Sequence, residues 1–500
     1  MAAWPGLAFK MKILFLQNAF IENHSLMSLA AVLKSSGHEA SVHIDYNRRQ
    51  LAKFIRDYAP DLIGFSALNV NINWSLEAAR QIKKEFGLPI IFGGAYPTLN
   101  PEIIEREEID FVCRLEGEYA LLELMEAMKN GLPAINIKNL WAKYDNKIFK
   151  NELRPLIANL NSLPLPDHSI YSGYQNMKAS HSRHFMASRG CPYSCSYCVN
   201  YALKGLYSDK VNIVRLRSAE NMLKEIKDTI RLSKVSTVVF DDDLFSFDYN
   251  WMKQLLPAYK KEISIPYICN VRAGYLNEEK VVLLKDSGCF RVTIGVETGN
   301  EGLRKRILKR NETNEQILRA TALLRKHRLK FMANFMFGIP DETLEDSFET
   351  VELGIKIKTN YPWGSIFQPY SGTRLAEYAQ EKGYLDKAKI NELAPTFYKD
   401  SPLKMANIKE MVNLQKLFIL AVKFPFLFPA VRFMARLPLR WLYEPVFLFT
   451  FGIRFALANR FGFRAILAYA RRNLKFYFHN QQDKVNTNES SLNKASGIFV

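Results

Sequence analysis

The 500-residue sequence predicts an α/β protein: a doubly wound parallel sheet, then a partial barrel of six strand–helix units, then a helical C-terminal region. Three observations carry this prediction. Short apolar runs alternate with helical patterns from 11 to 130, and again from 184 to about 390. A Pro- and Ser-bearing crossover, "NSLPLPDHSIYSGY", separates the two series. Residues 416–479 carry eleven Lys or Arg and one acid, Glu444, and so hold over half of the net charge of +18. The chain is too long for one hydrophobic core. The expected division is 11–152, a linker over 153–183, a barrel over 184–390, a basic and apolar helical region over 391–480, and a disordered polar tail over 481–500.

In the first series the strands are "KILFLQ", "ASVHID", "DLIGFSAL", "LPIIFGGA" and "DFVCRLEG". Patterns such as "WSLEAARQIKKEFG" supply helices between them, which implies a parallel sheet covered on both faces. "NLWAKYDNKIFK" reads as a hairpin turning at Asp145-Asn146. In the second series the strands are "HFMASRG", "VSTVVFDDD", "PYICNVRAG", "FRVTIGVET", "KFMANFMFGIP" and "WGSIFQPY". Six such units suit a partial barrel rather than an eight-unit one. Hydrophobic residues at 48% and charged residues at 24% are ordinary globular values. Six cysteines, three of them isolated in apolar runs, exclude a disulfide scaffold and fit a reducing, cytoplasmic setting. Pro5 and Lys10 interrupt the first residues, which are expected to be a loose extension rather than a signal peptide.

The chemistry concentrates in "GCPYSCSYCVN", where Cys191, Cys195 and Cys198 follow a C-x3-C-x2-C spacing directly after a strand. Thiolates are the usual ligands of iron–sulfur clusters. Three ligands on a four-iron cube leave one iron open, and an open position signals chemistry. The competing reading is a structural zinc site completed by His181 or His184.

With Tyr197 before the last cysteine and six βα units in the same stretch, residues 184–390 resemble the radical S-adenosylmethionine (SAM) superfamily. The resemblance implies a 4Fe–4S cluster on the three cysteines whose open iron chelates SAM, and an external electron donor such as flavodoxin or ferredoxin. It implies SAM contacts at Tyr197, at Asp241, Asp242 and Asp243 of "VVFDDDLFSFD", at Glu297 of "TIGVETGNEGL" and at Gly338 of "FMFGIPDETLED". "FQPYSGTRLAEYA" matches the family's sixth-strand element.

The 11–130 sheet has neither G-x-G-x-x-G nor a P-loop. Joined to such a barrel, it resembles the cobalamin-binding domain of one branch of the superfamily. Ligands of doubly wound sheets sit at the C-terminal strand ends. There the resemblance implies cobalamin contacts at Ser66, Ala67 and Asn69, at Gly93, Gly94, Ala95 and Tyr96, and at Glu116 and Gly117. The first loop, "QNAFIENHS", lacks D-x-H-x-x-G, so cobalamin is expected without a histidine ligand and His24 reads as a helix-start residue.

The branch implies carbon methylation, with cyclisation or rearrangement as alternatives. A tRNA methylthiotransferase would carry a second cysteine triad in the first domain and a basic β-barrel at the end. Here there is only Cys113, and the end is helical. In 417–478, charges and Pro425, Pro429, Pro438 and Pro445 are expected to break every apolar run well below the length of a spanning helix. Large apolar groups interleaved with arginines suit a peripheral contact with an anionic membrane, on its inner face, and a lipid-like or other small-molecule substrate. An ordinary helical cap explains them nearly as well, and a nucleic-acid face is disfavoured because aliphatics outnumber polar contacts.

Overall fold

The computed structural model describes residues 10–45, 48–174, 182–207, 213–386 and 396–459. They fold as two compact units, one built on residues up to Tyr174 and the other on the barrel and the C-terminal helices. The expected extension at 1–9, residues 460–480 of the helical region and the tail at 481–500 lie outside the described residues.

The first unit alternates β1 (Lys12–Gln17), α1 (His24–Ser35), β2 (Glu39–Ile44), α2 (Arg48–Tyr58), β3 (Leu62–Ser66), α3 (Ile72–Phe86), β4 (Ile90–Gly93), α4 (Ala95–Leu99), β5 (Phe111–Cys113) and α5 (Glu118–Lys129). β6 (Leu140–Tyr144) and β7 (Lys147–Lys150) complete it as the expected hairpin, with Asp145 and Asn146 both at positive φ. The sheet order is β2-β1-β3-β4-β5-β6-β7, parallel through β5. β1 lies between β2 and β3, so the chain reverses direction across the sheet there. That switch point opens a crevice beyond the C-terminal ends of β1 and β3. His24 opens α1, as expected, with Asn23 capping it through a bond from the Leu26 amide at 3.2 Å.

The crossover expected as a linker packs on this unit as far as residue 174. The Tyr171 hydroxyl donates to Gln17 Oε1 at 2.8 Å, and Tyr174 bonds both Val42 and Ile44 of β2 at 3.0 Å. Leu160, Ile170 and Tyr171 are buried. Its Pro- and Ser-rich composition hides this, because its apolar residues follow neither a helical nor a strand period. Residues 175–181 of the expected linker lie outside the described residues.

The second unit is a six-stranded, all-parallel open sheet: β8 (Ser182–Phe185), β11 (Thr237–Phe240), β12 (Tyr267–Val271), β13 (Cys289–Glu297), β14 (Lys330–Phe337) and β15 (Tyr361–Ile366). A small antiparallel pair, β9 (Ser188–Arg189) with β10 (Arg215–Leu216), stands apart from it. The intervening helices are α6 (Val199–Lys204), α7 (Ala219–Leu232), α8 (Tyr249–Glu262), α9 (Glu278–Asp286), α10 (Glu301–Arg306), α11 (Asn314–Lys326), α12 (Leu344–Ile357) and α13 (Arg374–Glu381). One strand face is buried beneath them, with Phe185, Phe240, Val292, Phe335 and Ile366 in the core. On the other face His184, Val239, Asn270, Thr293, Gly295, Asn334, Met336, Trp363 and Ser365 are partly exposed between buried neighbours, forming the inner wall of the partial barrel.

The C-terminal region forms α14 (Ile408–Lys423), α15 (Phe428–Met434) and α16 (Arg440–Ala458). α14 and the stretch leading into it seal the edge of β15. Gln415 Nε2 donates to Gly364 O at 2.7 Å, and the Ile366 amide donates to Phe397 O at 2.6 Å. Phe418 packs edge-on against Phe335 and Phe337, with centroids 5.1 and 5.3 Å away. The expectation that prolines break every apolar run is wrong for α16, whose 19 residues run through Pro445. Pro445 is the sixth residue, so it removes a single intrahelical bond near the N-terminus, where packing of Tyr443 and Phe447 holds the helix. By length and composition α16 could cross a membrane, a test that core helices also pass.

Close packing gives a direct test. A Cβ on Gly299 would stand 2.2 Å from Glu349 O on α12, whereas one on Gly452 of α16 meets nothing within 4 Å. Gly299→Ala is expected to destabilise the chain by about 1–3 kcal/mol. Gly452→Ala should stabilise it by roughly 0.5–1 kcal/mol through helix propensity. Urea unfolding monitored by circular dichroism measures both.

Candidate functional site

The cysteine loop begins at Gly190, whose φ of +86° and close approach to Ile213 O, 2.2 Å from a would-be Cβ, admit only glycine. The loop closes with the Cys198 amide donating to Cys195 O at 3.1 Å and turns into α6. Ser196 clamps it: its amide donates to Leu308 O at 3.1 Å, its hydroxyl to Ile307 O at 2.6 Å, and its carbonyl accepts from Leu375 at 2.9 Å. Cys191 and Cys198 remain partly exposed, and Cys195 is buried. Burial pushes the Cys198 thiol up to about 12, with Asp243 and the other two thiols adding to it. Burial raises Cys191 as well, with Asp243 and Cys195 in the same direction.

Behind the loop lies a buried charge network. Arg310 donates to Tyr197 Oη at 3.1 Å, to Glu297 Oε1 at 3.2 Å, to Gly295 O at 2.8 Å and to Glu312 Oε2 at 2.7 Å. The Tyr197 hydroxyl donates to Glu297 Oε1 at 3.0 Å. Arg272 bonds Glu312 Oε2 at 2.8 Å and lies 3.3 Å from the Tyr193 ring centroid. Arg304, 0% exposed, bonds the carbonyls of Val296, Thr298 and Glu312. Burial drives Glu297 upward against the pull of Arg310. For Glu312, Arg310 and Arg272 together outweigh burial and hold it below its ordinary value. Two tyrosines of the cysteine loop are thus fastened to the ends of β12 and β13.

Tyr197 and Glu297, expected from the sequence as SAM contacts, lie in this network, whereas Arg272, Arg304, Arg310, Glu312 and Ser196 were not singled out. "LRKRILKRNET" reads as a solvated basic face. The available signal was Gly295, a glycine inside a strand. A Cβ there would meet Glu297 Oε1 at 2.3 Å and Arg310 at 3.3 Å.

The three aspartates separate rather than crowd. Asp241 Oδ2 lies 2.8 Å from His184 Nδ1 on the inner wall. Asp242 is buried, accepting from the Ala187 amide at 3.1 Å and from the Ser188 hydroxyl. Asp243 accepts from Asn200 of α6 at 2.8 Å. Gly338 starts a turn in which the Ile339 amide donates to Glu342 Oε2 at 2.8 Å and Ser347 donates to Glu342 Oε1 at 2.6 Å.

In the first unit the expected loops come together beyond β3, β4 and β5. The Ala67 amide donates to Gly93 O at 2.7 Å, and Tyr96 donates to Ala67 O at 3.1 Å. Gly94, at φ +98°, packs so tightly on Ala67 that a Cβ would stand 2.7 Å from its carbonyl. Gly93 has ordinary space, with Cys113 O at 3.8 Å from a would-be Cβ. Ala95 starts α4 and Ser66 ends β3. Glu116 accepts from the Ile157 amide at 2.7 Å and Gly117 abuts Cys113, so this loop holds the crossover in place. Asn69, 9% exposed, leaves its Nδ2 buried without an acceptor among the described residues. A buried donor of this kind at a switch-point loop fits a bound polar ligand.

Two units, one presenting three thiols on a braced loop and the other an open sheet end, define a two-domain α/β cofactor enzyme. The radical SAM superfamily model matches residues 186–354, and the B12 binding domain model matches residues 19–125. The chain belongs to the radical SAM superfamily, in the branch that carries a B12-binding domain. Its cofactors are a 4Fe–4S cluster, SAM and cobalamin. It is 28% identical over 341 residues to "Uncharacterized methyltransferase PH0819" of Pyrococcus horikoshii, spanning 67% of this chain and 72% of that one. It is 24% identical to the anaerobic magnesium-protoporphyrin IX monomethyl ester cyclase of Rubrivivax gelatinosus, over 75% of this chain and 69% of that one. The fold is shared with the radical SAM methyltransferase TsrM from Kitasatospora setae, at TM-score 0.63 and 17% identity over 75% and 76% of the two chains. It is shared also with the cobalamin-dependent SAM radical enzyme OxsB, at TM-score 0.66 and 15% identity over 97% and 83%.

The residues fit these groups. Among the described residues no three His, Cys, Asp or Glu side chains converge as ligands of a single ion. A four-iron cube needs no such convergence, since each thiolate binds a different iron.

Arg310→Met leaves Glu297 and Glu312 short of a counter-charge and is expected to cost about 3–5 kcal/mol in anaerobic urea unfolding. Adding Glu297→Gln should recover part of that loss, the coupling expected of groups in contact. At the Gly338 turn, burial pushes Glu342 from 4.5 up to about 7. A raised folded value favours the protonated carboxyl, so this contribution is fully present below 4.5 and is lost as pH rises through 7. The loss is about 3 kcal/mol. Glu342→Gln should flatten the unfolding free energy across that window.

Proposed function

We propose that the protein is a cobalamin-dependent radical SAM methyltransferase acting on an unactivated carbon. The observation that carries this reading is the thiol triad on its braced loop, in a chain that also holds a B12-binding domain with a buried, open donor at Asn69. When bound, the cluster with SAM supplies hydrogen abstraction and cobalamin supplies the methyl group. Cys191, Cys195 and Cys198 hold the cluster. Asp241 and Asp243, which keep some exposure, meet the SAM ammonium, while buried Asp242 pins the loop beneath them. Tyr197 and Glu297 act by fixing the cysteine loop, and the Gly338 turn lines SAM. Ser66, Ala67, Asn69, Gly93, Gly94, Ala95, Tyr96, Glu116 and Gly117 form the cobalamin edge, with Asn69 donating and Gly94 and Glu116 shaping the loops.

The polar inner wall, with His184, Asn270, Thr293, Asn334 and Ser365 beside Val239 and Met336, suits a substrate of mixed character, small or lipid-like. Electrons come from an external donor such as flavodoxin or ferredoxin, in the cytoplasm, with a membrane contact through 417–478. A second reading, cyclisation, is supported by the likeness to the magnesium-protoporphyrin cyclase over 75% of this chain.

Protein purified without oxygen should hold about four irons per chain and bind cobalamin with an absorption spectrum showing no histidine ligation. Replacing Cys191, Cys195 and Cys198 with Ala should remove the iron and all SAM cleavage but leave cobalt. Gly93→Trp should do the reverse, losing cobalt and keeping iron. Zinc at one per chain with no iron overturns the proposal.

A further inference from the structure

Of the three aspartates after β11, Asp241 turns to the inner wall of the barrel. Its Oδ2 lies 2.8 Å from His184 Nδ1 of β8, and the two side chains are 31% and 25% exposed. Val239 and His184 stand side by side in the parallel ladder, while Phe240 and Phe185, the next residue of each strand, are buried in the core. The backbone around the pair is held by other groups. The Asp241 amide donates to Phe185 O at 2.9 Å, Asn270 Nδ2 donates to Asp242 O at 3.1 Å, and the Asp242 carboxylate accepts from the Ala187 amide at 3.1 Å. The bond to His184 then sets the direction of the Asp241 carboxylate itself.

We propose that His184 is a positioning residue for SAM: it fixes Asp241 in the orientation in which the carboxylate meets the SAM ammonium. This rests on the reading of Asp241 as a SAM contact. A carboxylate at a partly exposed strand end samples several rotamers, and holding it in one before the ligand arrives lowers the ordering cost of binding. A neutral imidazole does so without cancelling the charge. It donates from Nδ1 and leaves the carboxylate its full negative charge for the ammonium, whereas a lysine or arginine at 184 would neutralise it. The other two aspartates are committed elsewhere: Asp242 is buried on the backbone after β8, and Asp243 accepts from Asn200 of α6 at 2.8 Å.

The test uses the full chain purified without oxygen, with its iron counted. Equilibrium dialysis of radiolabelled SAM against the unreduced protein gives Kd without turnover. Formation of 5′-deoxyadenosine after reduction with dithionite, with SAM alone, gives KM and kcat. His184→Leu removes the donor and should raise Kd and KM for SAM about tenfold, with iron content unchanged and kcat within about threefold. His184→Asn returns an amide donor to the same position along the side chain and should restore most of the affinity. Asp241→Asn should also weaken SAM, and adding His184→Leu to it should weaken SAM no further, because the imidazole acts only through the carboxylate. Unchanged SAM affinity in His184→Leu overturns the proposal, as does an affinity that His184→Asn fails to restore. A double variant whose loss is the sum of the two single losses makes His184 an independent contact and overturns it too. Loss of iron in His184→Leu makes the residue structural, with the same consequence. Parent protein that holds iron and binds SAM yet forms no 5′-deoxyadenosine overturns the radical methyltransferase reading, and the dialysis results still decide the role of His184.

Discussion

The arrangement depends on burying Arg310 between two carboxylates and a tyrosine hydroxyl. A guanidinium taken out of water costs several kcal/mol unless its donors are answered, and here Glu297, Glu312, Tyr197 and the Gly295 carbonyl answer them. The requirement propagates. Gly295 must lack a side chain to leave room, Glu297 must take a left-handed φ of +69° to turn its carboxylate back, and Arg272 must complete Glu312. Such a lattice contributes little to net stability compared with apolar packing, but it admits one geometry. The cysteine loop, which has almost no apolar core of its own, inherits that geometry through Tyr193 and Tyr197.

The same logic of paired charges explains the three aspartates. Placed consecutively after a strand, they point in different directions, and each meets a different element: His184 of β8, the backbone after β8, and α6. Their different directions limit the repulsion among them before any ligand is bound. The result is that the end of β11 joins the first barrel strand to the helix leaving the last cysteine.

Much of this was legible in the chain. The parallel strands are short, largely apolar runs set off by turn residues, so all six barrel strands and the five parallel strands of the first sheet stood out, as did the Asp145-Asn146 hairpin. The cysteines and the switch-point loops were legible because spacing and glycines mark them. Buried arginines were not, because Arg304 and Arg310 share their stretch with exposed charges and differ only in what the fold brings to them. Nor was the packing of 153–174, whose hydroxyls reach the sheet from a stretch without period. Pro445 misled for a related reason: a proline's cost depends on its place within a helix, and α16 begins only five residues earlier.

The edge-on packing of Phe418 against Phe335 and Phe337, with Gln415 bonded into the edge of β15, makes the C-terminal cap part of the barrel rather than an appendage. The last strand of an open sheet ends in a row of unpaired backbone groups, a template on which another chain could add. Here the cap takes the place that a seventh strand would fill, so the sheet is finished by side chains and a loop of its own chain rather than left open to a stranger.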